Sequence, residues 1–130
     1  MASIFTKIVQ GDIPCHKVAE DDRFLAFLDI APIAEGHTLV IPKKEVDYIF
    51  DLEDELYLGL HLFARRVARA MEQAITCERI GQTVLGLEVP HAHIHLVPLI
   101  NAQFIDFNQR ASMDQAAFAA IAERIRTRFE

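Results

Sequence analysis

The order of apolar patterns along the chain predicts an α+β fold: a mainly antiparallel sheet with one long helix and a C-terminal helix. Three observations carry this. Short apolar runs broken by turn residues fill the first third. An apolar stripe at alternating steps of four and three then runs from Leu56 to Ala74. Two further strand-like runs precede a terminal helical stretch.

Taken in order, the N-terminal third reads as short strands and turns. Gly11-Asp12-Ile13-Pro14 has turn chemistry. His16 to Glu20 and Arg23 to Leu28 read as two strands joined through Asp21-Asp22, and Ala31 to Gly36 as a loop. His37-Thr38-Leu39-Val40-Ile41 is a buried strand stopped by Pro42. For the long helix, Asp51 is the expected N-cap, and Glu53, Asp54 and Glu55 bring negative charge to the first turn, where the helix dipole favours it. Leu56, Leu60, Phe63, Val67, Ala70, Met71 and Ala74 form one apolar stripe, which is core packing. Glu78 to Leu85 and Ala92 to Leu99 read as strands with a turn around Gly86 and Pro90. After an irregular connection from Asn101 to Arg110, the last helix is expected to begin near Ser112. There Ser112 and Gln115 fit a capping box and Phe118, Ile121 and Ile125 give a buried face.

Composition narrows the function classes. The chain has 130 residues, 52% of them hydrophobic, which suits one compact domain. Its net charge of −6, from 13 basic and 19 acidic residues, argues against a nucleic-acid partner, which calls for a basic surface. A small nucleotide in a pocket needs only a few placed donors and stays open. No apolar run reaches the ~18–20 residues of a membrane span, and the N-terminal residues carry no signal-peptide pattern, so no membrane association is expected. Cys15 and Cys77 make no disulfide framework and read as reduced thiols of a cytoplasmic protein.

The chemistry concentrates in His91-Ala92-His93-Ile94-His95. In a strand, side chains alternate, so the three imidazoles share one face while Ala92, Ile94 and Leu96 share the other. Three readings compete: a polar strand face with satisfied histidines; a metal site, to which the run supplies at most three ligands; and covalent catalysis, with one imidazole as nucleophile and its neighbours holding a phosphate.

Val89-Pro90-His91-Ala92-His93-Ile94-His95-Leu96-Val97-Pro98 resembles the signature of the histidine triad (HIT) family of nucleotide hydrolases and transferases. The resemblance extends upstream in the family's order, through Ser3 to Val9, Gly11 to Pro14, Phe24 to Ile30, and Gly36-His37-Thr38-Leu39-Val40-Ile41-Pro42-Lys43-Lys44. The C-terminal 30 residues carry no such signal. The resemblance implies a HIT-like fold, with residues 1–130 as a single HIT domain, a homodimer and no cofactor. It also implies that His93 forms a covalent nucleotidyl intermediate. His95 would donate to the α-phosphate oxygens, His91 would orient its neighbours, and His37 would sit near the phosphate. Asp29 matches the acid that binds the ribose hydroxyls, though it also reads as an ordinary loop acid. Ile4, Phe5, Ile8, Phe27, Ile30 and Leu39 match apolar positions around base and sugar. For Ile8, Phe27 and Leu39, core and pocket wall are equally consistent.

The chain departs from the family at two places. Glu88 stands where many members have a small polar residue, and no asparagine or glycine-rich loop precedes it. Glu88 therefore either faces the leaving group, repelling a polyphosphate and tolerating an amine, or is a turn residue. Some bacterial members hold structural zinc at positions that fall here on Ser3, Thr6, Glu45 and His91. A single plausible ligand among four is too few, so no metal is expected. The expected activity is hydrolysis of nucleoside phosphoramidates or related nucleotidyl compounds, with a purine nucleotide as partner. The alternatives are a nucleotide-binding module with weak or lost catalysis, and a metal-dependent hydrolase on the same histidines.

Overall fold

The computed structural model describes residues 2–100 and 105–130. Helix α1 (Ile4–Val9) precedes strands β1 (Lys17–Glu20), β2 (Phe24–Leu28) and β3 (Thr38–Pro42). A 3-10 turn (Ile49–Asp51) leads into the long helix α2 (Asp54–Ala74). Strands β4 (Arg79–Thr83) and β5 (Ile94–Leu99) and helix α3 (Gln115–Arg126) complete the order. The five strands form one antiparallel sheet in the order β1-β2-β3-β5-β4, an α+β architecture as expected. Of the expected connection from Asn101 to Arg110, residues 101–104 lie outside the described residues, and the rest is irregular.

The alternation of side chains divides the sheet into two faces. Phe24, Ala26, Leu28, Val40, Ile94 and Leu96 point towards α2 and α3 and form the main core with Leu60, Phe63, Val67, Met71, Phe118, Ile121 and Ile125. Leu25, Phe27, Leu39 and Ile41 point the other way and pack on Phe5 of α1. The registers Phe27↔Leu39 and Leu39↔His95 place His95 on this second face. The α2 stripe is buried from Leu56 to Met71, with Ala64 added to it, while Ala74 is half-buried.

Local chemistry fixes the turns. Asp21 Oδ1 accepts the N–H groups of Arg23 and Phe24 at 2.9 and 2.8 Å, an aspartate turn that closes the β1–β2 hairpin. Gly36, with φ +92°, lies so close to Ile75 that any Cβ would run into its side chain, so this turn before β3 requires glycine.

Four boundaries differ from the expectation, each for a visible reason. Residues 4–9 are helical rather than extended, because the Ser3 hydroxyl caps them by accepting the Thr6 N–H at 3.0 Å. Helix α2 starts at Asp54, not after Asp51. The extended backbone of buried Leu52 separates the 3-10 turn from the helix, and Glu53 takes the N-cap position. Strand β5 begins at Ile94, so His91 and His93 precede it. Helix α3 is capped by Asp114, whose Oδ1 accepts the Ala117 N–H at 2.8 Å, while Gln115 bonds His16 instead of completing a box with Ser112.

The two capping schemes for α3 separate experimentally. Asp114→Ala should cost about 1 kcal/mol of unfolding free energy. Ser112→Ala should stay within about 0.5 kcal/mol of the parent, as surface changes usually do. Urea denaturation of both variants measures this, and the reverse ranking would restore the capping box.

Candidate active site

A pocket of about 210 Å³ opens on the α1 side of the sheet. Ten of the residues singled out in the sequence line it: Ile4, Phe5, Ile8, Phe27, Asp29, Ile30, Leu39, Glu88, His93 and His95. Phe5, Phe27 and Leu39 are both core and wall, being buried in the smaller apolar cluster while bounding the cavity, and half-buried Ile8 packs against that cluster. Ile4 and Ile30 stand at the rim, 49% and 71% exposed. His37 and His91 do not line the pocket and lie buried behind it. The turn Gly11 to Pro14 also reaches the wall through Ile13 and Pro14, followed by Cys15. Cys15 and Cys77 are both unpaired thiols.

The hydrogen bonds assign a different task to each imidazole. His93 Nδ1 lies 2.8 Å from the carbonyl of His91, which can only accept. That nitrogen therefore carries a proton, and in the neutral ring the lone pair is on Nε2. His37 Nδ1 accepts the Ile33 N–H at 3.1 Å, so its proton sits on Nε2 and is donated to His95 Nδ1 at 3.0 Å. His95 must then hold its own proton on Nε2. His91 donates from Nε2 to the Pro42 carbonyl at 2.7 Å and accepts the Ser3 hydroxyl on Nδ1 at 2.8 Å. Ring contacts brace the group. Phe5 meets His91 and His93 edge-on at 5.8 and 5.1 Å, and Phe107 covers His95 at 4.7 Å.

Burial keeps the supporting imidazoles neutral. Desolvation, helped by the charges of Arg110 and His93, lowers His37 to about 4. Burial, with charge from His93 and His37, lowers His95 to about 3. Burial also lowers His91. These neutral forms are the ones the hydrogen bonds require, since a protonated His37 would turn an N–H against the Ile33 N–H.

Neither candidate metal cluster suits a metal. Asp29, His37 and His95 bring one ligand atom each within 4.8 Å of one another. His37 Nε2 carries the proton there, however, and Asp29 Oδ2 is taken by Arg110 Nη1 at 3.1 Å. Ser3, Thr6, Glu45 and His91 do converge, but hydrogen bonds close the group. Glu45 Oε1 accepts the Ser3 N–H and the Thr6 hydroxyl, both at 2.6 Å, which holds its carboxyl down to about 2. Both nitrogens of His91 are committed, so this set does not fit zinc.

Two residues of the C-terminal segment join the site without any warning in the sequence. Arg110 donates to Glu88 Oε1 at 2.8 Å, to Asp29 Oδ2 at 3.1 Å and to the Ala31 carbonyl at 2.8 Å, and it lies over the Phe107 ring. Glu88 thus lines the pocket with its charge paired to Arg110. No periodicity or motif marks Phe107 or Arg110, which fall in an irregular connection.

Comparisons with known proteins point to one family and one fold. Residues 10–101 match the model of the HIT domain. The chain is 41% identical over 102 residues to Protein hit of Bacillus subtilis, covering 73% of this chain and 69% of that one. It is 40% identical over 106 residues to adenosine 5'-monophosphoramidase hnt1 of Schizosaccharomyces pombe, covering 80% and 79%. Among solved structures, a Hit-like protein involved in cell-cycle regulation from Bartonella henselae superposes with TM-score 0.89 at 30% identity, covering 98% and 96%. A zinc-bound histidine triad family protein from Mycobacterium smegmatis gives 0.85 at 30%, covering 98% and 93%. The chain belongs to the histidine triad family.

The buried neutral histidines make stability depend on pH. An unfolded imidazole titrates near 6.5, whereas His37 and His95 resist protonation down to about 4 and about 3. Between these values the unfolded chain binds protons that the folded chain does not. Stability is therefore full above about pH 6.5 and falls as pH drops towards 4. Urea denaturation at about pH 7.5 and about pH 5 should differ by about 2 kcal/mol for each such histidine. Equal stability at the two values would sink the neutral assignment.

Proposed function

We propose that the protein is a nucleotide-binding hydrolase that cleaves nucleoside phosphoramidates or related nucleotidyl compounds through a covalent nucleotidyl–His93 intermediate. One observation carries this reading: the His91 carbonyl accepts a hydrogen bond from His93 Nδ1, which directs the lone pair of the neutral ring to Nε2, on an imidazole at the pocket wall. A neutral imidazole so oriented is a ready nucleophile. His95, whose Nε2 holds a proton, is the neighbouring donor for a phosphoryl oxygen. The apolar walls suit a purine base, and Asp29 suits a ribose. Its Oδ1 accepts the Ala31 N–H and its Oδ2 the Arg110 N–H, which leaves lone pairs for hydroxyl donors.

In the first step His93 Nε2 bonds to the α-phosphorus and the bond from phosphorus to the leaving nitrogen or oxygen breaks, an amine taking up a proton from solvent as it departs. In the second step water bonds to phosphorus, the phosphorus–nitrogen bond to His93 breaks, and water's proton is released. The proton consumed first is returned last, so the net reaction is hydrolysis. The activity named for the Schizosaccharomyces pombe relative is of this kind.

The protein is further proposed to be a cytoplasmic homodimer. Among the described residues no helix is long and apolar enough to cross a membrane. Strand β4 lies at an edge of the sheet, and Leu58 and Leu62, one turn apart on α2, are 61% and 53% exposed. A helix face and an adjoining sheet edge together supply an interface of the isologous type. Light scattering should give twice the chain mass at micromolar concentration, and a monomer there would count against the pairing.

For the chemistry, His93→Ala should abolish turnover of an adenosine phosphoramidate while leaving AMP affinity within about tenfold, or ~1.4 kcal/mol. His95→Ala should weaken both, because a donor to the phosphoryl group acts in the ground state and the transition state. Single-turnover kinetics, intact-mass detection of the adduct and calorimetry separate these effects. Near-parental turnover by His93→Ala would overturn the nucleophile. Nucleotide binding without adduct or product from any amidate, anhydride or dinucleotide would favour a binding module.

A further inference from the structure

The described residues lining the pocket include Asp29 and Glu88 but no lysine or arginine. The supporting imidazoles are buried and neutral, held so by their hydrogen bonds. An entering phosphoryl group would meet two carboxylates and no cation, unless something outside the wall supplies one. Arg110 does. Its guanidinium reaches in from the segment before α3, spans Glu88 and Asp29, and is fixed by the carbonyls of Phe107 and Ala31. The Ala111 N–H donates to the Pro32 carbonyl at 2.7 Å and pins the same segment to the loop that carries Asp29. Arg110 is 22% exposed at its side chain and Asp29 14%, so this pair is partly shielded from water, while Glu88 is 58% exposed.

We infer that Arg110 sets the charge of the nucleotide site: by spanning Glu88 and Asp29 it makes a pocket end with two carboxylates acceptable to a phosphorylated nucleoside. The inference rests on the nucleotide reading above. It assigns Arg110 as a positioning and specificity residue, acting on the phosphate through the two acids it pairs. It also explains how the chain accommodates Glu88 beside the histidines. The carboxylate anchors the arginine, and the arginine cancels the carboxylate. A residue with this role discriminates between ligands by charge. Adenosine meets the apolar walls and Asp29 but brings no phosphate, so it is nearly indifferent to Arg110. AMP is not.

Calorimetric titration of AMP and adenosine into four proteins tests this: the parent, Arg110→Ala, Arg110→Lys and Glu88→Gln, with the double variant Arg110→Ala/Glu88→Gln as the decisive addition. Arg110→Ala should weaken AMP by at least about tenfold and adenosine by less than about threefold, the expected behaviour of a lost charge partner. Arg110→Lys should retain most of the AMP affinity. Adding Glu88→Gln to Arg110→Ala should recover AMP binding several-fold, because the repelling charge goes with it. Equal weakening of AMP and adenosine by Arg110→Ala would mean that Arg110 only holds the segment in place, and the inference would fall. Failure of Glu88→Gln to restore AMP binding would overturn it as well. Should Arg110→Ala not fold, Glu88→Gln alone decides. It should raise the AMP affinity relative to adenosine, and an unchanged ratio rejects the inference. A parent protein that binds neither ligand would instead remove the nucleotide reading, and this inference with it.

Discussion

Antiparallel pairing of β3 with β5 sets Leu39 opposite His95, and that register governs which way the histidines can face. Shifting it by one residue would exchange His95 with Ile94 or Leu96, turning an imidazole into the α2 core and an aliphatic side chain into the pocket. The register is held because both faces are occupied. Val40, Ile94 and Leu96 are buried against the helices, while Leu39 and Ile41 pack on Phe5. The same pairing brings His37, at the entry to β3, alongside His95, so that one hydrogen bond of 3.0 Å links residues 58 positions apart. Chemistry at this site thus depends on two-sided packing of the central strands, and α1 contributes by covering the second face.

Once the rings are fixed, their roles follow from what each nitrogen touches. Backbone groups impose the tautomers: the Ile33 N–H, the His91 carbonyl and the Pro42 carbonyl leave no choice. A backbone partner cannot change its donor or acceptor character, so the assignment survives side-chain motion. Burial of His37, His91 and His95 then favours the neutral forms their tautomers need. The Ser3–Thr6–Glu45 network extends the logic outward. It ties the start of α1 to His91, so the helix that roofs the pocket and the residue whose carbonyl orients His93 are one unit.

The parts of this arrangement legible in the sequence are those with a period or a motif. The α2 stripe marks the helix layer, and the alternation of His93 and His95 marks the pocket face, while His91 lies behind it, because burial imposes a repeat on residue type. Asp29, eight residues before His37, was legible through the family's spacing. Boundaries were not. Asp51 and Ser112 are good caps by residue type, yet Leu52 and Asp114 decide the helix starts, since burial and the next available carboxylate override intrinsic preference. Helix α1 escaped for a related reason. Six residues are too few to show a helical period, and its N-cap is visible only with the Ser3 hydroxyl in place.

Arg110 marks where sequence reading stops and tertiary electrostatics begin. A lone arginine in an irregular stretch has no pattern, and its meaning comes only from two acids 22 and 81 residues away. Glu88, by contrast, stands out in the sequence as an anomaly, because a carboxylate beside the proposed phosphate site is unfavourable by itself. The anomaly and the unmarked arginine are one feature read from its two ends. Losing one member of a partly shielded charge pair such as Arg110 and Asp29 leaves the other uncompensated. An unexplained acid near an anion site is therefore a reason to look for a basic residue in whichever segment the fold brings across it, even one without any local signal of its own.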